Sequence, residues 1–594
     1  MSLQILLSCV ATIWLSLIYT GLGTLVFNFL RLRTVFGNGL SLIVKFALGF
    51  GIIGNILTVM GYLNLYSPPS IIIVLVFATL ISLISFSSII RQLSVVIFSF
   101  YNTFFPKPGF WLFFFLLITA GYMARGLLPP SGFDELMYHL STVKLYLKEG
   151  GFWDIYFNPQ SDYPMLSQMH YLAALALGND IICKSLSSFL FFIHLGLIFL
   201  VSRDLSKDKN AAFFSVIIFA TLPTIVANAS SCYVDIHQSL WSMLALFLLI
   251  KYTETGSKGI LYTVAFCGGM AVQTKIFGIL IIPVLATVHC YCNWLNNGRL
   301  ISKRILFELS VLVVIPVAMG SLWYYKSMLY NQSFGSIKSV SLIPEKNILS
   351  SAISFLRELV TFPWTYTIFP SLHRADTAGP LFLMVLPFLF FVKTINKKIN
   401  IYLLASLAFM LQLLFIDNFM VKSASGRYII FVLALLVPSV PYTLSHLTLH
   451  NTRRILSVSV IVSVLFGGAV FIKRYNKEWI ALIKQKSRDE YYLSVLPEYG
   501  AIQKINSLGS DKKVLLEYNF SEYLIDIPYI VAYRRYESPC EMINDLNSKN
   551  VGYIFANNKF DSLENRISYG EIKEYMEPLY NANGFYLFRI LNNE

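Results

Sequence analysis

Two adjacent carboxylates, Asp134 and Glu135, are the residues of this sequence best suited to catalysis. They lie just past an apolar segment, in the run PPSGFDELMYH at 129–139. A carboxylate at a bilayer surface can take the proton from a hydroxyl that attacks a substrate, which is general base catalysis. There is also a structural interpretation, in which Ser131 caps a helix and Asp134 completes a capping box. The two roles can coexist.

Four further residues could support such a pair. Tyr138 and His139 follow on the same predicted helix, and His139 lies one turn after Glu135. It could orient that carboxylate, bind a metal ion or pack as a structural histidine. Asp235 opens a later apolar segment, as a second carboxylate of the site or as a helix cap. Arg125 ends the apolar segment before the pair, as a partner of Asp134 or as a contact to the donor.

Two cations are expected near the outer ends of membrane helices, where an ionised side chain is expensive. They are Lys275 and Arg427. A lipid phosphate would compensate both, with a two-pronged contact from Arg427 and a point charge from Lys275. The alternative is that both side chains extend to the interface without a ligand. His373 and Arg374 could meet the same phosphate or lie in solvent.

The composition places these residues in a membrane protein. The chain of 594 residues is 56% hydrophobic and 13% charged, which excludes a soluble globule. Residues 473–594 differ, because they hold 16 Lys/Arg and 17 Asp/Glu. The net charge of +14 therefore comes from short loops, which argues against a nucleic-acid partner. The seven cysteines contain no CxxC pair, so neither a zinc site nor a disulfide framework is implied.

The apolar runs predict about fourteen membrane spans and three regions. Basic residues cluster in the loops after odd-numbered spans, so these loops should be cytoplasmic and both termini should face outward. The fold class is an all-α polytopic membrane protein with a small C-terminal α/β domain outside the membrane. The predicted regions are N-terminal helices at 1–109, a catalytic membrane region at 110–472 with outer loops at 129–180 and 326–379, and a soluble domain at 473–594.

The soluble domain and the first outer loop have clear local patterns. In the loop, apolar residues recur at helical spacing at 136–147 and 165–176, which predicts amphipathic helices over a cavity. In the domain, β-rich runs at 514–518, 527–533, 551–556 and 585–590 predict strands, and Ser538 with Glu541 predicts the start of a helix at 539–548. The domain contains no glycine-rich phosphate loop.

Along residues 110–446 the candidate residues occur within a series of short elements on the predicted outer side. After the Asp-Glu pair come Asp162-Tyr163-Pro164, Tyr233-Val234-Asp235, Thr274-Lys275 with Gly278, Trp323-Tyr324-Tyr325-Lys326, Gly379-Pro380 and Ser425-Gly426-Arg427-Tyr428. This order resembles the GT-C membrane glycosyltransferases. It is most similar to the family-39-like bacterial enzymes related to protein O-mannosyltransferases and the lipid A aminoarabinose transferase. The chain departs from the family in having Asp-Glu and no Asp-x-Asp, and in having about three extra spans before the loop.

The resemblance implies a glycosyltransferase that uses a polyprenyl-phosphate sugar on the outer face. The acceptor would be a hydroxyl of a glycan, lipid or protein, and the anomeric centre would invert. Asp134, helped by Glu135, would be the base, whereas Lys275, Arg427, Arg374 and His373 would bind the donor phosphate. A divalent metal ion could share that work, and no other cofactor is expected.

The expected location is a bacterial inner membrane, with the active site and C-terminal domain outside the cytoplasm. Two alternatives remain at this point: a polysaccharide polymerase or ligase that uses a lipid-diphosphate glycan, and a non-enzymatic lipid or glycan transporter.

Overall fold

A computed structural model describes residues 2–33, 35–106, 108–155, 157–298, 302–331, 348–367, 377–392, 395–419, 426–517, 521–531, 538–557 and 573–591. The helices up to residue 474 are Ser2–Phe29, Asn38–Tyr62, Pro68–Leu83, Phe86–Phe104, Phe110–Gly126, Ser141–Glu149, Leu166–Ala176, Ile181–Ser206, Lys209–Thr221, Pro223–Asn228, Asp235–Thr255, Lys258–Thr274, Ile281–Asn297, Lys303–Asn331, Ile348–Thr367, Leu381–Val385, Lys397–Phe419, Ile430–Leu436, Ser439–His446 and His450–Arg474. The chain is a mostly helical, integral multi-pass membrane protein.

The number of spans is lower than the sequence predicted. Within the described ranges, seven helices are long and apolar enough to cross a membrane, or up to nine if each of two bent pairs is one span. The prediction of about fourteen spans is therefore wrong by this measure. Three further apolar helices, Phe110–Gly126, Lys209–Thr221 and Leu381–Phe391, fall short of the roughly 20 residues that a span needs. The apolar run near 70–90, predicted as one span, instead belongs to two helices, 68–83 and 86–104, bent by 75°.

Close helix packing forms the core on which the site is built. The helices Ser2–Phe29 and Asn38–Tyr62 approach so closely that a Cβ atom on Gly49 would lie 1.8 Å from the carbonyl oxygen of Tyr19. Small residues allow such contact between membrane helices. Asp235–Thr255 is buried around its whole circumference over its first four turns, as expected of a central helix. It presents Asp235 at one end.

The first outer loop consists of short helices, as the apolar spacing predicted. Its segments are a π-helical turn at Glu135–His139, the α-helices Ser141–Glu149 and Leu166–Ala176, and a 3₁₀ turn at Pro159–Asp162. Leu136, Leu140 and Val143 are buried, and so are Met165, Met169 and Leu172. The helix after the acidic pair thus begins with a widened turn, which is common at functional sites.

The C-terminal region contains the helices Asn476–Ile483, Arg488–Val495, Tyr499–Asn506 and Pro539–Ser548 and five strands: β1 (Lys513–Leu516), β2 (Tyr529–Val531), β3 (Val551–Asn557), β4 (Met576–Ala582) and β5 (Phe585–Ile590). The sheet order is β2-β1-β3-β5-β4, with β1 parallel to β2 and β3, and β5 antiparallel to β3 and β4. Four strands and the helix started by Ser538 were predicted. The sequence missed β4, an edge strand that contains Pro578.

Candidate active site

Glu135 is fully buried and holds the start of the outer loop in place. Its Oε2 accepts hydrogen bonds from the backbone N–H groups of Ser131 at 2.8 Å and Gly132 at 2.5 Å. Its Oε1 accepts one from the N–H of Cys232 at 2.5 Å. The carboxylate therefore joins residues 131–135 to the segment before Asp235. The capping box of Ser131 and Asp134 is not formed, since the N–H of Ser131 donates to Glu135 and the N–H of Asp134 faces the Tyr233 hydroxyl.

Asp134, the residue just before Glu135, binds a different partner. Its Oδ2 is paired with the guanidinium of Arg427, and the exposed fraction of each side chain is 13%. Its backbone N–H lies 3.4 Å from the hydroxyl oxygen of Tyr233. Arg427 comes from the 3₁₀ turn Gly426–Ile429, almost three hundred residues later. The two residues expected to act as base and phosphate contact are thus neighbours.

Lys275 and Asp235 form a second, more deeply buried pair. Lys275 Nζ lies 2.5 Å from Asp235 Oδ1, with side-chain exposures of 8% and 3%. Just after Lys275 the chain turns back against the preceding helix. A Cβ atom on Gly278 would lie only 1.9 Å from the carbonyl oxygen of Ala271. Only glycine fits there. Asp235 thus uses one carboxylate oxygen to bind Lys275, whereas its Oδ2 is buried without a hydrogen-bond partner among the described residues.

The two pairs share one aromatic side chain. The Tyr428 ring centroid lies 4.6 Å from Lys275 Nζ and 5.5 Å from the guanidinium carbon of Arg427. Tyr233 borders Arg427 on another side, at 5.8 Å. Cations attract the faces of such rings. The structure thus brings together four of the residues that the sequence singled out, from four separate parts of the chain.

Tyr138 and His139 are buried beside these pairs. His139 Nδ1 lies 2.9 Å from Gln168 Nε2, and its ring is 6.0 Å from that of Tyr233. Burial lowers the pKa of His139 well below the usual histidine value, and nearby Lys275 adds to the effect. Burial likewise raises the pKa of Tyr138 well above its usual value, with a contribution from Asp134. His139 is therefore neutral and Tyr138 protonated near pH 7.

Arg125 has other partners than the sequence suggested. Its Nε donates to Glu478 at 3.1 Å, its Nη1 donates to the carbonyl of Ala229 at 2.5 Å, and its guanidinium stacks 3.9 Å from the Tyr475 ring centroid. The expectation of a pair with Asp134 is wrong, because Arg427 takes that place. Arg125 instead connects the last membrane helix and its continuation to the segment before Asp235.

His373 and Arg374 lie outside the described residues. For a metal ion, no group of three or more His, Cys, Asp or Glu comes together anywhere in the described part of the chain. Asp134 and Asp235 are each paired with a cation, so these residues do not fit a metal site as they stand.

The sequence also missed Lys184, which is fully buried and donates to the carbonyl of Pro129 at 3.3 Å.

Comparison with known proteins gives one family match. Residues 170–324 match the model of the dolichyl-phosphate-mannose-protein mannosyltransferase family. This segment includes Asp235, Lys275 and Gly278, and it ends before Arg427. No curated protein matches the chain in sequence.

Among solved structures, the chain is similar to ArnT from Cupriavidus metallidurans in the apo state, with a TM-score of 0.53 and 10% identity over 80% of this chain and 97% of that one. This likeness shows a shared fold. Weaker similarities are found to the same protein bound to undecaprenyl phosphate (TM-score 0.49, 12% identity, 81% and 98% covered) and to the oligosaccharyltransferase AglB from Archaeoglobus fulgidus with an inhibitory peptide and a dolichol-phosphate (TM-score 0.41, 13% identity, 82% and 74% covered).

Proposed function

We propose that this chain is a GT-C-type membrane glycosyltransferase that moves one sugar from a polyprenyl monophosphate to an acceptor hydroxyl on the outer face of the membrane. The match of residues 170–324 to the mannosyltransferase family and the shared fold support this proposal. The matched family is described by a lipid-phosphate sugar donor, which supports this donor class. The acceptor belongs to a glycan, a lipid or a protein. The membrane is the inner membrane of a bacterium, with the site facing away from the cytoplasm.

The observation that carries the proposal is the convergence of Asp134, Arg427, Asp235 and Lys275 around Tyr428. Two carboxylates and two cations balance one another in the free protein. An arriving phosphate would compete for the cations, and Arg427 offers the two-pronged geometry that phosphate favours. Releasing Arg427 would leave Asp134 beside the sugar, next to the phosphate that must depart.

Unpaired polar atoms at the same place favour a polar ligand. Within the described residues, Arg427 Nε, Asp235 Oδ2 and His139 Nε2 are buried without a hydrogen-bond partner. Such atoms are costly unless something bonds to them. A phosphate oxygen could accept from Arg427 Nε, and sugar hydroxyls could donate to Asp235 Oδ2 and bond to His139 Nε2.

A place for the lipid chain lies nearby. A cavity of about 460 Å³ is lined by Leu280, Phe355, Leu411, Gln412, Phe415 and Ile416. Leu280 ends the 3₁₀ turn that begins just after Lys275. A polyprenyl phosphate could therefore place its phosphate at Lys275 and its isoprene units along this largely apolar surface.

In the proposed reaction, Asp134 takes the proton of the acceptor hydroxyl. The oxygen then attacks the anomeric carbon and forms a new C–O bond, while the bond to the phosphate oxygen breaks. The polyprenyl phosphate leaves with that electron pair, stabilised by Arg427 and Lys275. A single displacement of this kind inverts the anomeric centre.

The test is sugar transfer by the full chain in proteoliposomes. We expect a labelled product from one of a panel of polyprenyl-monophosphate sugars with a cell-envelope extract as acceptor source. Arg427→Gln should raise the KM for the donor about tenfold or more, whereas Arg453→Gln, at an exposed arginine, should not change it.

Other outcomes would contradict the proposal. Use of lipid-diphosphate glycans alone, with normal activity of Asp134→Asn, would identify a polymerase or ligase. Movement of the labelled lipid across the bilayer without a new glycoside would identify a transporter.

A further inference from the structure

The C-terminal region packs directly on the loop that carries the acidic pair. Leu128 and Leu136, on either side of the pair, are buried in a small cluster with Ala481, Tyr491 and Tyr492 of two C-terminal helices and with Leu496, which follows the second helix. This cluster is separate from the main hydrophobic core. The loop is therefore packed against the C-terminal region as well as the membrane helices.

One tyrosine of this region reaches the backbone that Glu135 holds. The hydroxyl of the fully buried Tyr491 lies 2.9 Å from Ser131 Oγ and 3.3 Å from the carbonyl oxygen of Pro129. The N–H of Ser131 in turn donates to Glu135. A continuous chain of hydrogen bonds thus runs from the C-terminal helix Arg488–Val495 to the residue next to Asp134.

Further contacts attach the same loop at its middle and at its end. Lys144 Nζ donates to the carbonyls of Tyr523 and Ile525, at 2.8 and 3.0 Å. At the end of the loop, Arg488 makes a two-pronged pair with Asp180, and the Tyr523 hydroxyl donates to the same carboxylate at 3.1 Å. The C-terminal region therefore contacts the loop along most of its length.

We propose that Tyr491 is a positioning residue for Asp134, acting through Ser131, Pro129 and the Glu135 carboxylate. The proposal rests on the proposed function, in which Asp134 is the base. Displacing a base by a fraction of an ångström slows proton transfer but changes donor binding little, because Arg427 and Lys275 lie on other elements. The C-terminal region is in this view part of the catalytic machinery.

The experiment compares Tyr491→Phe with Tyr499→Phe in the full chain. Both changes remove one tyrosine hydroxyl from the same region, but the hydroxyl of Tyr499 donates to Asp489, within the C-terminal region. Amide hydrogen exchange of residues 131–137 is measured in detergent without substrate. The kcat and KM for the donor are measured in proteoliposomes, with the wild-type protein and Asp134→Asn as references.

We expect Tyr491→Phe to speed exchange at 131–137 and to lower kcat about tenfold with an unchanged donor KM. Tyr499→Phe should match the wild type in both. The proposal is overturned if exchange at 131–137 does not rise, or if it rises while kcat equals that of Tyr499→Phe. If the wild-type protein transfers no sugar from any polyprenyl monophosphate, the proposed function fails, and the positioning of Asp134 as a base fails with it. An exchange result would then show only whether Tyr491 braces the loop.

Discussion

At the scale of single residues, two carboxylates that are adjacent in sequence have opposite surroundings. Glu135 is enclosed and satisfied by three backbone N–H groups, whereas Asp134 faces a guanidinium at the edge of the cluster. The two side chains point apart, at the start of the widened helical turn at 135–139. Glu135 therefore acts as a structural clamp, which here means that its hydrogen bonds hold the loop backbone in place. We expect Asp134 to exchange Arg427 for a substrate.

The clamp gives a prediction for stability. Glu135→Gln should lower the free energy of unfolding by about 2 kcal/mol or more, because the amide nitrogen must face backbone N–H donors. Asp134→Asn, in a partly exposed place, should cost less. Thermal unfolding of the two variants in one detergent measures the difference. Equal stability of wild type and Glu135→Gln would contradict the clamp.

The buried pair of Lys275 and Asp235 should show strong coupling. Lys275→Met or Asp235→Asn alone should cost about 3 kcal/mol or more, since each leaves one group buried without its partner. The double variant should cost less than the sum of the two, by about 1 to 3 kcal/mol. Unfolding measurements on all four proteins complete the cycle. Additive losses would mean that the pair does not form in solution.

At the scale of elements, a short turn of the C-terminal region packs against the loop at 129–180. Glu522 begins the 3₁₀ turn Glu522–Leu524 and is almost fully buried, with its Oε2 3.5 Å from Asn158 Nδ2. Asn158 also donates to the carbonyl of Met137, at 3.3 Å. Burial raises the pKa of Glu522 well above its usual value. The side chain is therefore favoured in its neutral form in the packed state.

The packing of this turn should depend on pH. The folded-state pKa of Glu522 is raised, so its contribution is complete below the ordinary glutamate pKa of 4.5 and is lost as pH rises from there through the folded-state pKa. Glu522→Gln, which cannot ionise, should remove this dependence. Limited proteolysis of the C-terminal region between pH 4 and 8 would measure it. A variant with the same pH profile as the wild type would contradict the assignment to Glu522.

The sequence predicted some elements well and others poorly, for physical reasons. The apolar spacing gave the outer-loop helices, and the β-rich runs gave four strands, because these signals are local. The spans were overestimated, since an apolar run does not reveal that helices such as Lys209–Thr221 are too short to cross a membrane. The clusters around Asp134 and Lys275 join residues far apart in sequence. The types of these residues and their expected side of the membrane could be inferred from the sequence. It could not be inferred that Arg427, and not Arg125, pairs with Asp134, because this contact depends on how distant segments pack.

At the scale of the whole molecule, the site and the C-terminal region lie at one end of the helices. Asp235 begins the helix Asp235–Thr255 at the site, and Thr255 is about 30 Å away at 1.5 Å per residue. That length matches the thickness of the hydrocarbon core of a bilayer, although the polar residues of this helix keep it out of the seven spans counted by hydropathy. If the site faces outward as proposed, Cys540, which is exposed in the C-terminal region, should face outward with it.

Thiol labelling can test this orientation in intact cells. With the other six cysteines changed to serine, Cys540 should react with a membrane-impermeant maleimide before the cells are permeabilised. A matched protein with Cys540→Ser and Thr255→Cys should react only afterwards. The reverse order of labelling would place the site on the cytoplasmic side and contradict the proposed location.

The most direct measurement of the central claim separates donor binding from transfer in Asp134→Asn. We predict that this variant binds polyprenyl monophosphate at least as tightly as the wild-type protein, because Arg427 and Lys275 remain and Arg427 no longer has to leave a carboxylate, but that its sugar transfer is slower by about 100-fold or more. Transfer at the wild-type rate would contradict the assignment of Asp134 as the base, and with it the account of this site.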